Sequence, residues 1–143
     1  MYWEGRAPGA PGLVILAFPC NQFGAQEPKP ISEIRRVVGE TYGIPIVGDS
    51  ETRNNGFTLF EKVEVNGAKI PPLWSYVKRQ LPGSFGAGFV PWNFTKYLVD
   101  VRGQPRERFL PTVTPNAMRP SIDALLAEAA AGGVVGGGGM SAR

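Results

Sequence analysis

The sequence predicts an α/β fold built on a parallel sheet, and three observations carry that prediction. Leu13-Val-Ile-Leu-Ala-Phe18 is a continuous apolar run stopped by Pro19, the pattern of a strand buried on both faces of a parallel sheet. The next periodic segment has apolar residues at helical spacing: Ile31, Ile34, Val37, Val38 and Tyr42. Further on, two strand-like runs, Phe94 to Val101 and Arg106 to Leu110, join through Arg102-Gly103 as a hairpin and lead to an Ala- and Leu-rich helix over Ser121 to Ala130.

Each element follows from local signals. Residues 1–12 are rich in Gly and Pro without periodicity and are expected to form a disordered lead-in to a domain over 13–131. Cys20 to Pro30, full of Asn, Gln, Gly and Pro, is expected to be a loop at the C-terminal end of the first strand, where open α/β sheets place their ligand sites. Ser32 is the N-cap candidate of the helix that Gly43 and Pro45 end. Val47 to Gly56 is polar and loop-like, and Phe57 to Val65 alternates weakly before the Asn66-Gly67 turn signal. Pro72 opens a helix over Leu73 to Gln80, and Leu81 to Pro91 is a Gly-rich loop. Residues 132–143 form a low-complexity tail expected to be disordered. Strand, helix, long excursion, hairpin, helix is the order of the later part of a thioredoxin-like fold. No other segment stands out as a parallel partner for Leu13 to Phe18, so the sheet reads as incomplete.

Composition removes several function classes. At 143 residues, 43% hydrophobic and 19% charged, the chain has room for one core. A net charge of +3 is too small and too dispersed to point to nucleic acid. No apolar run approaches the roughly 20 residues of a membrane span, so a soluble protein is expected, with a cytoplasmic or an organellar compartment left open. With no His, the chain builds neither a Ser-His nor a Cys-His nucleophile pair, and no imidazole-ligated metal. Cys20 is the sole cysteine, which excludes an internal disulfide and a multi-thiolate metal site. No cofactor or metal is expected.

Phe18-Pro-Cys-Asn-Gln-Phe-Gly-Ala-Gln-Glu-Pro28 resembles the signature loop of the glutathione peroxidases, and Trp92-Asn-Phe-Thr-Lys-Tyr-Leu-Val99 resembles their second characteristic block. Val65-Asn66-Gly67 and Arg106 to Thr112 also fit, so the resemblance extends over Leu13 to Leu126. It implies a thioredoxin-like fold and a peroxidase that reduces hydrogen peroxide and organic or lipid hydroperoxides at the expense of glutathione or another thiol, as part of the response to oxidative stress. In that family a selenocysteine or cysteine attacks the peroxide, assisted by a glutamine, a tryptophan and an asparagine, which fall here on Gln26, Trp92 and Asn93. Amide and indole N–H groups suit this chemistry, because they donate to a chalcogenolate and to the departing oxygen without competing for a proton as a base would. Cys20 matches a family cysteine that is not the attacking one and is expected to be structural.

The resemblance also marks departures. The family's attacking residue lies upstream, after a strand that sits between those matched by Leu13 to Phe18 and Phe94 to Val101, and nothing before Leu13 resembles it. The chain as written is therefore expected to be inactive or nearly so. A selenocysteine codon read as a stop, with the gene model restarting at a downstream Met, accounts for this; a mispredicted exon with an ordinary cysteine upstream is the alternative. No resolving cysteine stands in Ile31 to Tyr42, which implies an external thiol such as glutathione. Val47 to Gly56 reads as an insertion of about ten residues, a length that surface loops tolerate. The short Leu81 to Pro91 segment resembles the monomeric, phospholipid hydroperoxide type. Lys78, Arg79 and Lys96 would set such a site near anionic lipid, against the plainer reading that they are solvated charges. A reading from another class remains: a catalytically dead relative that binds a partner or senses redox state through Cys20.

Overall fold

The computed structural model describes residues 12–44, 57–84, 86 and 88–133. The expected insertion at 47–56, residues 1–11 of the expected lead-in and residues 134–143 of the expected tail lie outside the described residues; Gly132 and Gly133, expected to open that tail, instead end the last helix, whose hydrogen-bonded turns carry on past the Ala-rich run.

Strand β1 (Ile15–Ala17) pairs in parallel with β2 (Phe57–Leu59), with Ile15 opposite Phe57 and Ala17 opposite Leu59. The pairing runs on beyond the strands, where Phe60 N–H donates to Ala17 O at 2.9 Å and Val63 N–H to Pro19 O at 3.0 Å. A parallel partner thus exists where the sequence showed none, because only three residues of Phe57 to Val65 keep strand geometry, too few to give a clear period. The expectation that the apolar run is buried on both faces is also corrected. Ile15 and Leu16 point to opposite faces and are each 49% exposed. Among the described residues β1 is paired on one side only, so its apolar composition outruns its burial.

Helix α1 (Ile31–Arg36) continues as a wider π-helical turn over Val37–Thr41 and stops at Gly43, whose φ of +60° suits a residue without a Cβ. Its N-cap is Pro30, not Ser32: Pro30 is extended, and its carbonyl accepts the N–H groups of Glu33 and Ile34. The fixed φ of Pro30 sets the chain direction one residue before Ser32 can act, and Ser32 lies inside the first turn. Helix α2 (Pro72–Gln80) starts on Pro72, where the missing N–H would have had no helical partner.

Strands β3 (Lys96–Val99) and β4 (Pro105–Phe109) form the expected antiparallel hairpin, with a register irregularity between Leu98 and Val99. Asp100 builds its turn: Oδ1 accepts the N–H groups of Arg102 and Gln104, both at 2.9 Å, and Gly103 takes a φ of +79°. Helix α3 (Pro115–Gly133) starts six residues before the expected Ser121. Thr114 receives its first turn, with Ala117 N–H on Oγ1 and Met118 N–H on the carbonyl, and Pro120 is carried inside the helix.

Two buried clusters result. Phe23, Val65 and Val90 form one, flanked by Cys20, Val63 and Trp74. Leu98, Phe109 and Met118 form the other, where α3 lays Met118, Ile122 and Leu125 on the hairpin at helical spacing. An aromatic series runs through Trp74, which flanks the first cluster, to Tyr97 of β3, the strand that carries Leu98. Phe18 stacks on Phe60 at 4.4 Å and meets Trp74 edge-on at 5.8 Å; Trp74 meets Tyr97 edge-on at 5.9 Å; and the Arg108 guanidinium lies 5.4 Å from the Tyr97 ring centre.

Candidate functional site

Two loops carry the residues singled out in the sequence. The first leaves β1 and is closed by Asn21, whose Oδ1 accepts the Glu27 N–H at 3.0 Å across the loop. Phe23 anchors it in the first buried cluster. Gly24 and Ala25 then turn the chain through positive φ, +63° and +51°, and deliver Gln26 to the surface. The second loop precedes β3. Thr95 Oγ1 donates to the Trp92 carbonyl at 3.0 Å, and Phe94 takes a φ of +61°.

The loops meet through their tips. Asn93 Nδ2 donates to Gln26 Oε1 at 2.9 Å, joining residues 67 positions apart. The Trp92 ring packs 5.8 Å from Phe23, and the bare Cα of Gly24 faces both Gln26 Cγ and Trp92 Cη2, each 3.6 Å from where a Cβ would stand. Gln26, Trp92 and Asn93 are thus brought together. Gln26 Nε2 and the half-exposed Trp92 indole N–H are engaged by no other described residue, so both N–H donors are open. Ala25 and Phe94 are the non-glycine residues of positive φ among those described, and they adjoin Gln26 and Asn93 directly. Such strain persists only where the surroundings over-determine the backbone.

Cys20 stands elsewhere in the arrangement. Half-buried against the Phe23, Val65 and Val90 cluster, its Sγ lies 3.7 Å from Gln22 Oε1. The basic trio is broken up. Lys78 is 7% exposed, with Nζ donating to Val65 O and to Asn66 Oδ1, and burial, then the nearby Arg108 charge, lower its pKa from the usual lysine value. Lys96 Nζ donates to the carbonyls of Pro111 and Val113. Arg79 is left as the exposed member. From sequence these positions read as surface charges, because a lysine on a helix carries no local sign that a carbonyl awaits it. Gln22, Asn66 and Lys78 escape sequence reasoning as a set for the same reason: their partners lie 12 to 44 positions away. Among the described residues no group of three or more His, Cys, Asp or Glu stands ready for a metal, and no helix is long and apolar enough to cross a membrane.

A parallel strand pair, an antiparallel hairpin and flanking helices, with two loops meeting at Gln26 and Asn93, form a small α/β scaffold of the thioredoxin-like class, and known proteins of that class align with it. A structure of Trgpx in its apo form aligns over 80% of both chains with a TM-score of 0.52 at 22% identity, which speaks for the fold. The crystal structure of T. cruzi GPX1 aligns over 80% of this chain and 60% of its own at 31% identity, also with a TM-score of 0.52. The family model for glutathione peroxidase matches residues 7–78. The chain belongs to the glutathione peroxidase family. A probable phospholipid hydroperoxide glutathione peroxidase of Nicotiana sylvestris is 42% identical over 115 residues, covering 80% of this chain and 61% of that protein. A glutathione peroxidase of Lactococcus lactis is 39% identical over 115 residues, 66% of its own length. The chain therefore spans about three fifths of the curated relatives it matches first.

Proposed function

We propose that this protein serves a thiol-dependent peroxidase reaction on hydrogen peroxide and on organic or lipid hydroperoxides, with Gln26, Trp92 and Asn93 as donors around the reacting oxygens. The observation that carries this reading is the Asn93–Gln26 hydrogen bond beside Trp92, which leaves the Gln26 Nε2 and Trp92 Nε1 donors open between two strained turns. In the reaction a selenolate or thiolate attacks one peroxide oxygen, the O–O bond breaks, and the alcohol or water leaves with a proton. The resulting selenenic or sulfenic acid condenses with one thiol, releasing water, and a second thiol attacks that mixed bond, freeing the selenol or thiol and releasing the two reductant thiols as a disulfide. Donors held at the departing oxygen stabilise its charge, typically by roughly 10² to 10³ in rate each.

Cys20 is not the attacking group in this proposal: it is packed beside a core cluster, and Gln22 rather than Gln26 is its polar neighbour. The 143-residue chain alone then turns over peroxide poorly, and the reaction needs a Sec or Cys other than Cys20. Glutathione or another external thiol is the reductant, a reading supported by the lack of a cysteine in Ile31 to Tyr42, and the working form is a monomer, a reading supported by the brevity of the 81–91 segment. Contact with anionic lipid has Arg79 in its favour but neither Lys78 nor Lys96, whose ammonium groups are occupied.

The test is peroxide consumption with glutathione, first by the 143-residue chain and then by the chain extended with its in-frame upstream coding sequence. The expected result is negligible turnover by the first. Turnover by the second should fall by about 10² on Gln26→Ala or Trp92→Phe. Robust turnover by the short chain, abolished by Cys20→Ser, would show that Cys20 attacks. It would also give the redox-sensing alternative its thiol.

A further inference from the structure

We infer that Gln22, Asn66 and Lys78 form a positioning relay that sets the Gln26 loop against the Trp92 and Asn93 loop; the inference rests on the reading of those three residues as the donor site. The relay begins four residues before Gln26. Gln22 Oε1 accepts the N–H groups of Val65 and Asn66 at 2.9 and 3.0 Å, and Gln22 Nε2 donates to Asn66 O at 2.8 Å. One side chain thus pairs with the backbone of 65 and 66 as a neighbouring strand would. The Asn66 side chain repeats the device one step on, donating from Nδ2 to Val90 O at 2.8 Å and accepting Val90 N–H on Oδ1 at 3.0 Å. Val90 lies two residues before Trp92. Lys78 closes the relay from α2, its Nζ shared between Val65 O and Asn66 Oδ1.

Two features make this more than loop decoration. The backbone at Gly88, with φ of +70°, lies so close to α2 that a Cβ there would stand 2.7 Å from Lys78 Cβ, so the helix that carries the ammonium also fixes the path into Val90. And Lys78 is buried, where an ammonium is tolerated only with acceptors in place, so losing either acceptor disturbs the whole relay. Beyond the shared Phe23, Val65 and Val90 cluster and the Phe23–Trp92 ring contact, the Asn93–Gln26 bond is, among the described residues, the direct polar link between the two loops, and the relay decides whether its partners are in reach.

The experiment is nitrogen-proton NMR on the full 143-residue chain, reading the side-chain amides of Gln26 and Asn93, with Leu98, Phe109 and Met118 signals as the control for folding. Asn66→Ala is expected to shift both side-chain amides toward the positions of free amides while the control signals stay. Asn66→Asp, which keeps an oxygen for Val90 N–H and Lys78, should bring them part of the way back. Asn66→Ala with both amides at their wild-type positions and the control intact overturns the relay. If Asn66→Ala loses the control signals, Gln22→Glu, which keeps an acceptor for the Val65 and Asn66 N–H groups but sets a carboxylate oxygen against Asn66 O in place of the donation, is read by the same criterion. None of these signals depends on turnover. A peroxidase assay insensitive to Gln26→Ala would defeat the proposed function and leave the relay standing.

Discussion

Ala25 carries a left-handed backbone that a Cβ makes unfavourable by about 1–2 kcal/mol, more than the roughly 0.5–1 kcal/mol of extra chain entropy that glycine would lose on folding. Ala25→Gly is therefore expected to raise stability by about 0.5–1 kcal/mol in chemical denaturation, and a loss of stability would show that the turn is not strained. The same change frees the loop beside Gln26, so the Gln26 and Asn93 side-chain amides should exchange with solvent faster. At this scale the sequence was informative where a residue's neighbours in the chain define its surroundings. Gln26, Trp92 and Asn93 each sit in an unusual local run, and the structure brings them together. Lys78 and Gln22 were not legible, because a hydrogen bond to a distant carbonyl leaves no period or spacing behind.

The hairpin turn and α3 show what decides an element. The Gln104 N–H, with the Arg106 side chain and the Arg102 N–H, holds the Asp100 carboxyl below its ordinary pKa. A carboxylate with a lowered folded pKa adds stability that is complete above its unfolded pKa and is lost as pH falls through the folded one. Wild type should thus lose more stability than Asp100→Asn as pH falls through and below the ordinary carboxylate range, with the two converging at the acid end. Parallel curves over that range would remove Asp100 from the acid response. In α3, Pro120 lacks the N–H that would reach back to Asn116 and crowds that carbonyl, a defect of up to about 3 kcal/mol inside a helix. Pro120→Ala should raise the urea midpoint without changing the slope. That proline also explains the expected start at Ser121: a proline inside a helical pattern reads as a boundary, and here the packing of Met118 on Leu98 and Phe109 outweighs it. The N-cap of α1 departs from expectation for the converse reason, since Pro30 acts before Ser32.

Across the whole molecule, the two buried clusters are separate, and the two described sheets share no strand. Trp74 is the aromatic link, touching Phe18 on one side and Tyr97 on the other, beside polar ties from Arg108 to the carbonyls of Leu81, Pro82 and Phe89 and from Tyr76 to the hairpin turn. Trp74→Leu should split thermal unfolding into two transitions, seen as a van't Hoff enthalpy well below the calorimetric one; a single two-state transition would show that the clusters are coupled by other contacts. The α/β class and the order of elements were legible, because they depend on runs and turns. The exposure of β1 was not, since an apolar run records what a strand can bury and not whether a neighbour is there to cover it. The Asn93–Gln26 bond has a further meaning at this scale: it is the fastening of a ring of chain, and the free energy of closing a ring grows only logarithmically with its circumference. Doubling the intervening chain would add only about 0.6 kcal/mol, so its length can drift through insertion and deletion while the fastening stays where local contacts put it.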